Sequence, residues 1–142
     1  MDKKYFSLDN DIGFLIQRAL QIVKSRFYES FSKYGLTTKQ YGVLLRLWEE
    51  DGISQKELGM RLYTDGATIT GIIDRMEREN LVIRKKEGND RRLTKIYLTI
   101  KGYKLKEELG PEISKFNKTI LEKLHPEEIN QLKKFIKKLS TL

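Results

Sequence analysis

Apolar residues recur at helical spacing over most of the chain, and two short alternating runs after its midpoint break that rhythm. Ile12, Leu15, Ile16, Ala19, Leu20, Val23, Phe27 and Phe31 follow the 3.6-residue period, which predicts a first helix capped by Asp9 or Asn10 and closed by Gly35. Thr37 followed by Gln40 is a capping box. It opens a second helix through Val43, Leu44, Leu47 and Trp48, and Gly52 closes it. Ser54 and Glu57 repeat the capping pattern and start a short helix carrying Leu58 and Leu62. A corner at Tyr63, Thr64 and Asp65 follows, with Asp65 as the cap of a fourth helix that aligns Ile69, Ile72, Ile73 and Met76. Asn80 stops that helix, being a residue that tolerates the left-handed conformation.

The runs "LVIRKKE" and "LTKIYLT", joined by "GNDRR", then predict a β-hairpin. Beyond Gly102 a long helix places Leu105, Leu109, Ile113, Phe116 and Ile120 or Leu121 on one face. Pro111 is expected to kink or break it. A last helix begins at "HPEE", with Pro126 in its first turn, and carries Ile129, Leu132, Ile136 and Leu139.

The 142 residues suit one domain. At 39% hydrophobic and 34% charged, the chain is polar for its length, as helical proteins are that bury surface against a partner. Lysine and arginine outnumber aspartate and glutamate by 28 to 20, a net +8 that favours polyanions, nucleic acid before an acidic membrane. Cysteine is absent, which excludes disulfides, thiolate metal sites and thiol redox sensing. No apolar run approaches the ~18 residues of a bilayer span. "MDKKYFSLDND" lacks the apolar core of a signal peptide, so a cytoplasmic protein is expected.

Residues 54–80 have the spacing of a helix-turn-helix, whose second helix offers its N-terminal residues to the major groove. That half, "DGATITG", carries small and hydroxyl-bearing residues, with Thr68 and Thr70 projecting early and Gly66 and Gly71 clearing space. From Arg84 to Lys95 there are six basic residues (Arg84, Lys85, Lys86, Arg91, Arg92, Lys95) against Glu87 and Asp90, a net of +4. A helix-turn-helix followed by a hairpin with a cationic tip is a winged helix. An arginine on such a narrow tip can enter the minor groove while flanking lysines neutralise phosphates.

From about Leu36 to Gly102 the chain resembles the MarR (multiple-antibiotic-resistance regulator) family of winged-helix transcription factors. The residues that carry the likeness are "SQKELGMRL", "TITGIIDRMERENLVIRK", "NDRRL" and "YLTIKG", in order and spacing. The resemblance implies a mainly α fold with a small β-hairpin wing. A winged helix-turn-helix at residues 36–100 would be flanked by dimerisation helices at 1–35 and 101–142. It implies a DNA-binding transcriptional repressor that grips a palindromic site as a homodimer. The residues it places on DNA are Asp65, Thr68 and Thr70 on the recognition helix, Asp90 and Arg92 in the wing, and basic positions Arg75 and Arg84; Lys85 and Arg91 flank them. Gly71 stands where many members have a longer side chain, and Asn80 replaces the usual glycine.

Members of the family usually bind a small molecule where the dimer helices meet the winged helix. Phe14, Tyr41 and Trp48, with Arg18 as an anion partner, are the residues expected there, for a small aromatic or anionic ligand. Peroxide-sensing members use an N-terminal cysteine, which this chain lacks, and zinc-sensing members use several histidines. His125, the only histidine, sits at a helix start and suits capping. No cofactor or metal is expected. With no phosphate-binding glycine loop or ligand cluster, an enzyme is not expected either. A winged helix used as a non-catalytic protein adaptor is the alternative. The lysine-rich last helix also fits a membrane surface, but pairing with a second subunit accounts for the apolar stripes of both the first and the last helix.

Overall fold

The computed structural model describes residues 6–89 and 93–141. Among the described residues, six α-helices lie at Ile12–Phe31 (α1), Thr38–Glu49 (α2), Gln55–Arg61 (α3), Gly66–Arg78 (α4), Ile100–Leu121 (α5) and Pro126–Leu139 (α6), and three strands lie at Ile53–Ser54 (β1), Val82–Lys86 (β2) and Thr94–Leu98 (β3). The chain forms two compact units, residues 31–111 and residues 1–30 with 112–142, whose boundaries fall near the end of α1 and inside α5.

In the larger unit the buried side chains come from every element. Val43, Leu44 and Leu47 of α2, Leu58 of α3, Ile69, Ile73 and Met76 of α4, Val82 of β2 and Ile96 of β3 are all essentially inaccessible. These are the periodic positions expected from the apolar pattern, and burying such a set is the main force holding short helices that would not persist alone. Thr37 and Gln40 form the reciprocal capping box at the start of α2. Asn80 takes a φ of 57° after α4, as its tolerance of the left-handed region predicts.

Four local expectations are corrected. The carboxylate that caps α1 is Asp11, whose Oδ1 accepts from the Phe14 backbone N–H at 2.7 Å. Asp9 and Asn10 belong instead to a single 3₁₀ turn, Leu8–Asn10. Ser54 caps α3 by accepting from the Glu57 N–H at 3.1 Å, but Glu57 does not return the bond and turns toward Arg61, 3.6 Å away. The hairpin gains a third strand, because Ile53 and Ser54 pair antiparallel with Ile96 and Lys95, giving the order β1-β3-β2. Finally, of the two outcomes expected at Pro111 the break does not occur, and α5 continues from Ile100 to Leu121. Pro111 and Glu107, whose carbonyl loses its partner, are both exposed, so water can take the missing donor's place.

Gly102, in the first turn of α5, shows why "YLTIKG" ends in glycine: a Cβ there would collide with the Leu81 carbonyl oxygen. Its own carbonyl accepts from the Trp48 indole N–H at 3.0 Å, which fixes α2 to the start of α5.

In the smaller unit Phe27 meets Phe116 edge-on, with ring centroids 6.0 Å apart. Many apolar side chains of this unit face solvent. Ile12, Leu15, Ile16 and Leu20 of α1, and Leu132, Phe135, Ile136 and Leu139 of α6, are all exposed, and α6 buries no residue at all. His125 precedes α6, and its backbone N–H donates to Glu128 at 2.8 Å, so it sits at a helix cap.

Candidate nucleic-acid interface

The second helix of the helix-turn-helix begins with Asp65, whose carboxylate accepts from both the backbone N–H and the hydroxyl of Thr68, each at 2.8 Å. These two bonds hold the Asp65 carboxyl below the usual carboxylate range. Thr70, one turn on, donates its hydroxyl to the Gly66 carbonyl at 2.8 Å and accepts from the Gln55 side-chain amide at 3.0 Å. Asp65, Gly66, Ala67, Thr68, Thr70 and Gly71 are exposed, and a Cβ at Gly66 or Gly71 would meet nothing. The first two turns of α4 therefore present a shallow, sterically open surface.

The corner before α4 is tight. Thr64 donates its backbone N–H to the Gly59 carbonyl at 2.8 Å, and a Cβ on Gly59 would press on the Thr64 carbonyl at 3.1 Å. Tyr63 sits at a φ of 50°, a left-handed conformation that costs a non-glycine residue about 1 kcal/mol or more. Its ring is 79% exposed, so core packing does not repay that strain.

Among the side chains that join the wing to this helix, Arg84 makes the most polar contacts described. Arg84, on β2, donates from its backbone N–H to Glu77 at 2.9 Å. Its guanidinium reaches Asp74 at 2.6 Å, Glu77 at 2.8 Å, Gln55 at 3.0 Å and the Thr70 carbonyl at 3.2 Å. A cleft of about 740 Å³ surrounds this junction, bordered by the start of α3, the first turns of α4 and the wing residues Leu93 and Thr94. Arg84 was expected among the cations facing DNA; its guanidinium is instead committed within the chain. Gln55, Asp74 and Glu77 were not singled out from the sequence. Their signal was an acidic pair three residues apart on a helix beside an otherwise cationic strand.

At the tip end of the hairpin Glu87 accepts from the Tyr97 hydroxyl and pairs with Lys95 at 2.9 Å. The Tyr97 hydroxyl bond, then Lys95, hold Glu87 below its ordinary range, while the Tyr97 phenol is pushed up by the same carboxylate. Lys95 is thereby held by a carboxylate, whereas its cross-strand partner Lys85 lies over the Tyr97 ring at 5.1 Å and is exposed. Arg75 keeps about half its side chain in solvent, with its Nε donating to Glu79 at 3.1 Å. Asp90, Arg91 and Arg92, the expected wing-tip residues, lie outside the described residues.

A helix-turn-helix followed by a hairpin is an arrangement found in known proteins that this chain matches. The sequence pattern of the MarR family fits residues 36–94. An organic hydroperoxide resistance transcriptional regulator from Bacillus subtilis is 34% identical over 110 residues, covering 76% of this chain and 75% of that protein. The chain belongs to the MarR family. A second relative, the HTH-type transcriptional regulator TtmR of Methylorubrum extorquens, is 38% identical over 72% of this chain, but the match spans only 53% of TtmR. In three dimensions the fold superposes on Bordetella bronchiseptica BpsR with a TM-score of 0.88 and 26% identity, covering 96% of this chain and 97% of that one. BpsR is a regulator whose DNA binding is controlled by 6-hydroxynicotinic acid.

Of the residues expected to hold an effector in this MarR-family chain, Phe14 and Arg18 lie exposed on α1 in the smaller unit. Tyr41 and Trp48 lie on α2 in the larger one, half-buried. The Tyr41 ring packs on Phe31 at 5.1 Å, burial pushes its phenol up, and the Trp48 indole is satisfied by Gly102. No group of histidines and carboxylates suited to a metal occurs among the described residues. None of the described helices is long and apolar enough to cross a membrane.

Proposed function

We propose that this MarR-family regulator represses transcription as a homodimer on a palindromic operator in the cytoplasm, without enzymatic activity or cofactor, and that a small aromatic or anionic ligand releases it. The observation that carries the reading is the open face of α4 held beside the wing by Arg84, because reading a groove requires a helix and hairpin of fixed relative position. Asp65, Thr68 and Thr70 face the major groove, Arg75, Lys85 and Arg91 the phosphates, and Arg92 the minor groove, with Asp90 as the carboxylate that orients Arg92. Arg84 acts through the helix and wing it joins.

The exposed apolar faces of α1 and α6 support the dimer. Surfaces of that extent, on helices that otherwise bury little, call for a partner. A two-fold dimer spaces its recognition helices about one DNA turn, roughly 34 Å, apart. The ligand class rests on Phe14, Tyr41, Trp48 and Arg18 and on the aromatic acid that controls BpsR. Such a ligand shifts DNA affinity only as far as it prefers one dimer geometry over another.

The test is a titration of the purified protein with duplexes from upstream of its own gene, paired with sedimentation. A dimer that binds one fragment far more tightly than a scrambled one supports the reading. Sequence-indifferent binding favours the protein-adaptor alternative, and a monomer removes the two-fold geometry.

A further inference from the structure

Arginine can only donate hydrogen bonds, and that fact fixes the polarity of the whole reading face. The Arg84 Nε–H points at the Gln55 side chain, so the amide must present its oxygen there. Its NH₂ then donates to the Thr70 hydroxyl, and Thr70 passes its own proton to the Gly66 carbonyl. The relay runs one way, from wing to α3 to α4, and leaves Thr70 with an oxygen lone pair to offer. Thr68 is polarised independently: a carboxylate accepts only, so the Thr68 proton is spent on Asp65. The depressed pKa of Asp65 keeps that carboxylate ionised, without a proton of its own.

From Asp65 to Asp74 α4 carries no lysine, arginine, asparagine, glutamine, histidine, tyrosine or tryptophan. Its only side-chain O–H groups are those of Thr68 and Thr70, both already donating inward.

We propose that the side chains of the α4 reading face, from Asp65 to Asp74, are acceptor-only and select operator half-sites through the major-groove amino groups of adenine and cytosine, with Thr68 as the specificity-determining residue. Guanine shows only N7 and O6 acceptors in that groove, so the commonest specific contact, a cation on guanine, has no side-chain donor between Asp65 and Asp74. The Ala67 and threonine methyl groups add contacts suited to the thymine methyl, which favours adenine–thymine pairs among the two choices. Gly71, where a longer side chain could have supplied a donor, leaves the face open. This inference rests on the operator-binding reading above.

The test begins with a random-sequence duplex library selected by the full-length protein. Selected half-sites are then resynthesised with single-atom changes: purine for adenine or 2-pyrimidinone for cytosine, which delete one amino group, and 7-deazaguanine, which deletes an acceptor. At the base facing Thr68, deletion of the amino group is expected to weaken wild type about tenfold, while 7-deazaguanine across the half-site changes affinity less than twofold. T68V, equal in shape but without the hydroxyl, should bind the intact site about tenfold more weakly and be indifferent to the amino deletion. T68S should restore the sensitivity, which separates lost recognition from a perturbed helix. A tenfold loss with 7-deazaguanine, or equal sensitivity of T68V and wild type to amino deletion, overturns the acceptor-only face while leaving operator binding intact. Failure of the library to enrich any sequence overturns operator binding itself, and this inference with it.

Discussion

Arg84 of the wing strand β2 and Asp74 of the recognition helix α4 are joined at 2.6 Å, with Glu77 on the same guanidinium nitrogen at 2.8 Å. One arginine therefore balances two carboxylates ten and seven residues earlier in the chain. The arginine side chain is 23% exposed while Asp74 and Glu77 keep 48% and 35% of theirs in solvent, so the cation is sheltered and the carboxylates remain partly screened.

The first prediction concerns that junction. Arg84→Ala leaves two carboxylates facing each other without a cation, and stability should fall by about 1–3 kcal/mol in urea unfolding. DNA affinity should fall too, yet the dependence of log K on log salt should keep its slope, because no phosphate contact is removed. A slope reduced by about one would instead make Arg84 a phosphate contact.

Lys85, on the opposite face of β2, behaves differently. Its ammonium lies over Tyr97 and remains exposed. Lys85→Ala should weaken binding to every duplex alike and lower the salt slope by about one unit, measured by fluorescence anisotropy at several salt concentrations. Arg92→Ala should instead cost about 1–3 kcal/mol on the operator and little on random DNA, if the wing tip enters the groove.

Gly102→Ala tests the close approach of α5 to Leu81. The added methyl meets a backbone oxygen that cannot rotate away, so a loss of about 1–3 kcal/mol is expected. Thermal unfolding measures it directly. Gly110→Ala, in the same helix with open space around it, should not destabilise and serves as the control.

Asp65 supplies a pH dependence. Its folded pKa lies below its unfolded one because the Thr68 N–H and hydroxyl bind the ionised form. The stabilisation is therefore complete above the unfolded pKa and disappears as the pH falls through the depressed folded value. Asp65→Asn cannot titrate. The urea midpoint of wild type should exceed that of the variant at neutral pH, and the gap should narrow steadily in acid. A gap independent of pH would exclude an ionised cap.

Much of this fold was readable because its signals are local. Thr37 with Gln40, Asp65 before Gly66 and Asn80 after α4 announce themselves within four residues, and the 3.6-residue apolar period assigned the helices. What stayed hidden depends on chain segments far apart. β1 is two residues long, carries no alternation, and exists only because β3 passes beside it forty residues later. Asp9, Asn10 and Asp11 are chemically similar caps, and only the 3₁₀ turn decides between them. In the site, the threonines of α4 could be named from composition, whereas the direction in which their hydroxyls point could not. That direction is set by Asp65, by Gln55 and, through Gln55, by Arg84. Charge counting likewise put Arg84 and Lys95 with the free cations, and their carboxylate partners show that formal charge overstates what a strand offers to a polyanion.

The shortest strand has the widest reach. Ser54 caps α3 with its side chain while its neighbour Ile53 and its own backbone are stitched to the inner strand of the hairpin. Twisting the hairpin would pull at the origin of α3, and tilting α3 would drag the hairpin along. The origin of α3 and the middle strand of the sheet are thus linked through two residues, so a change in one is felt directly at the other.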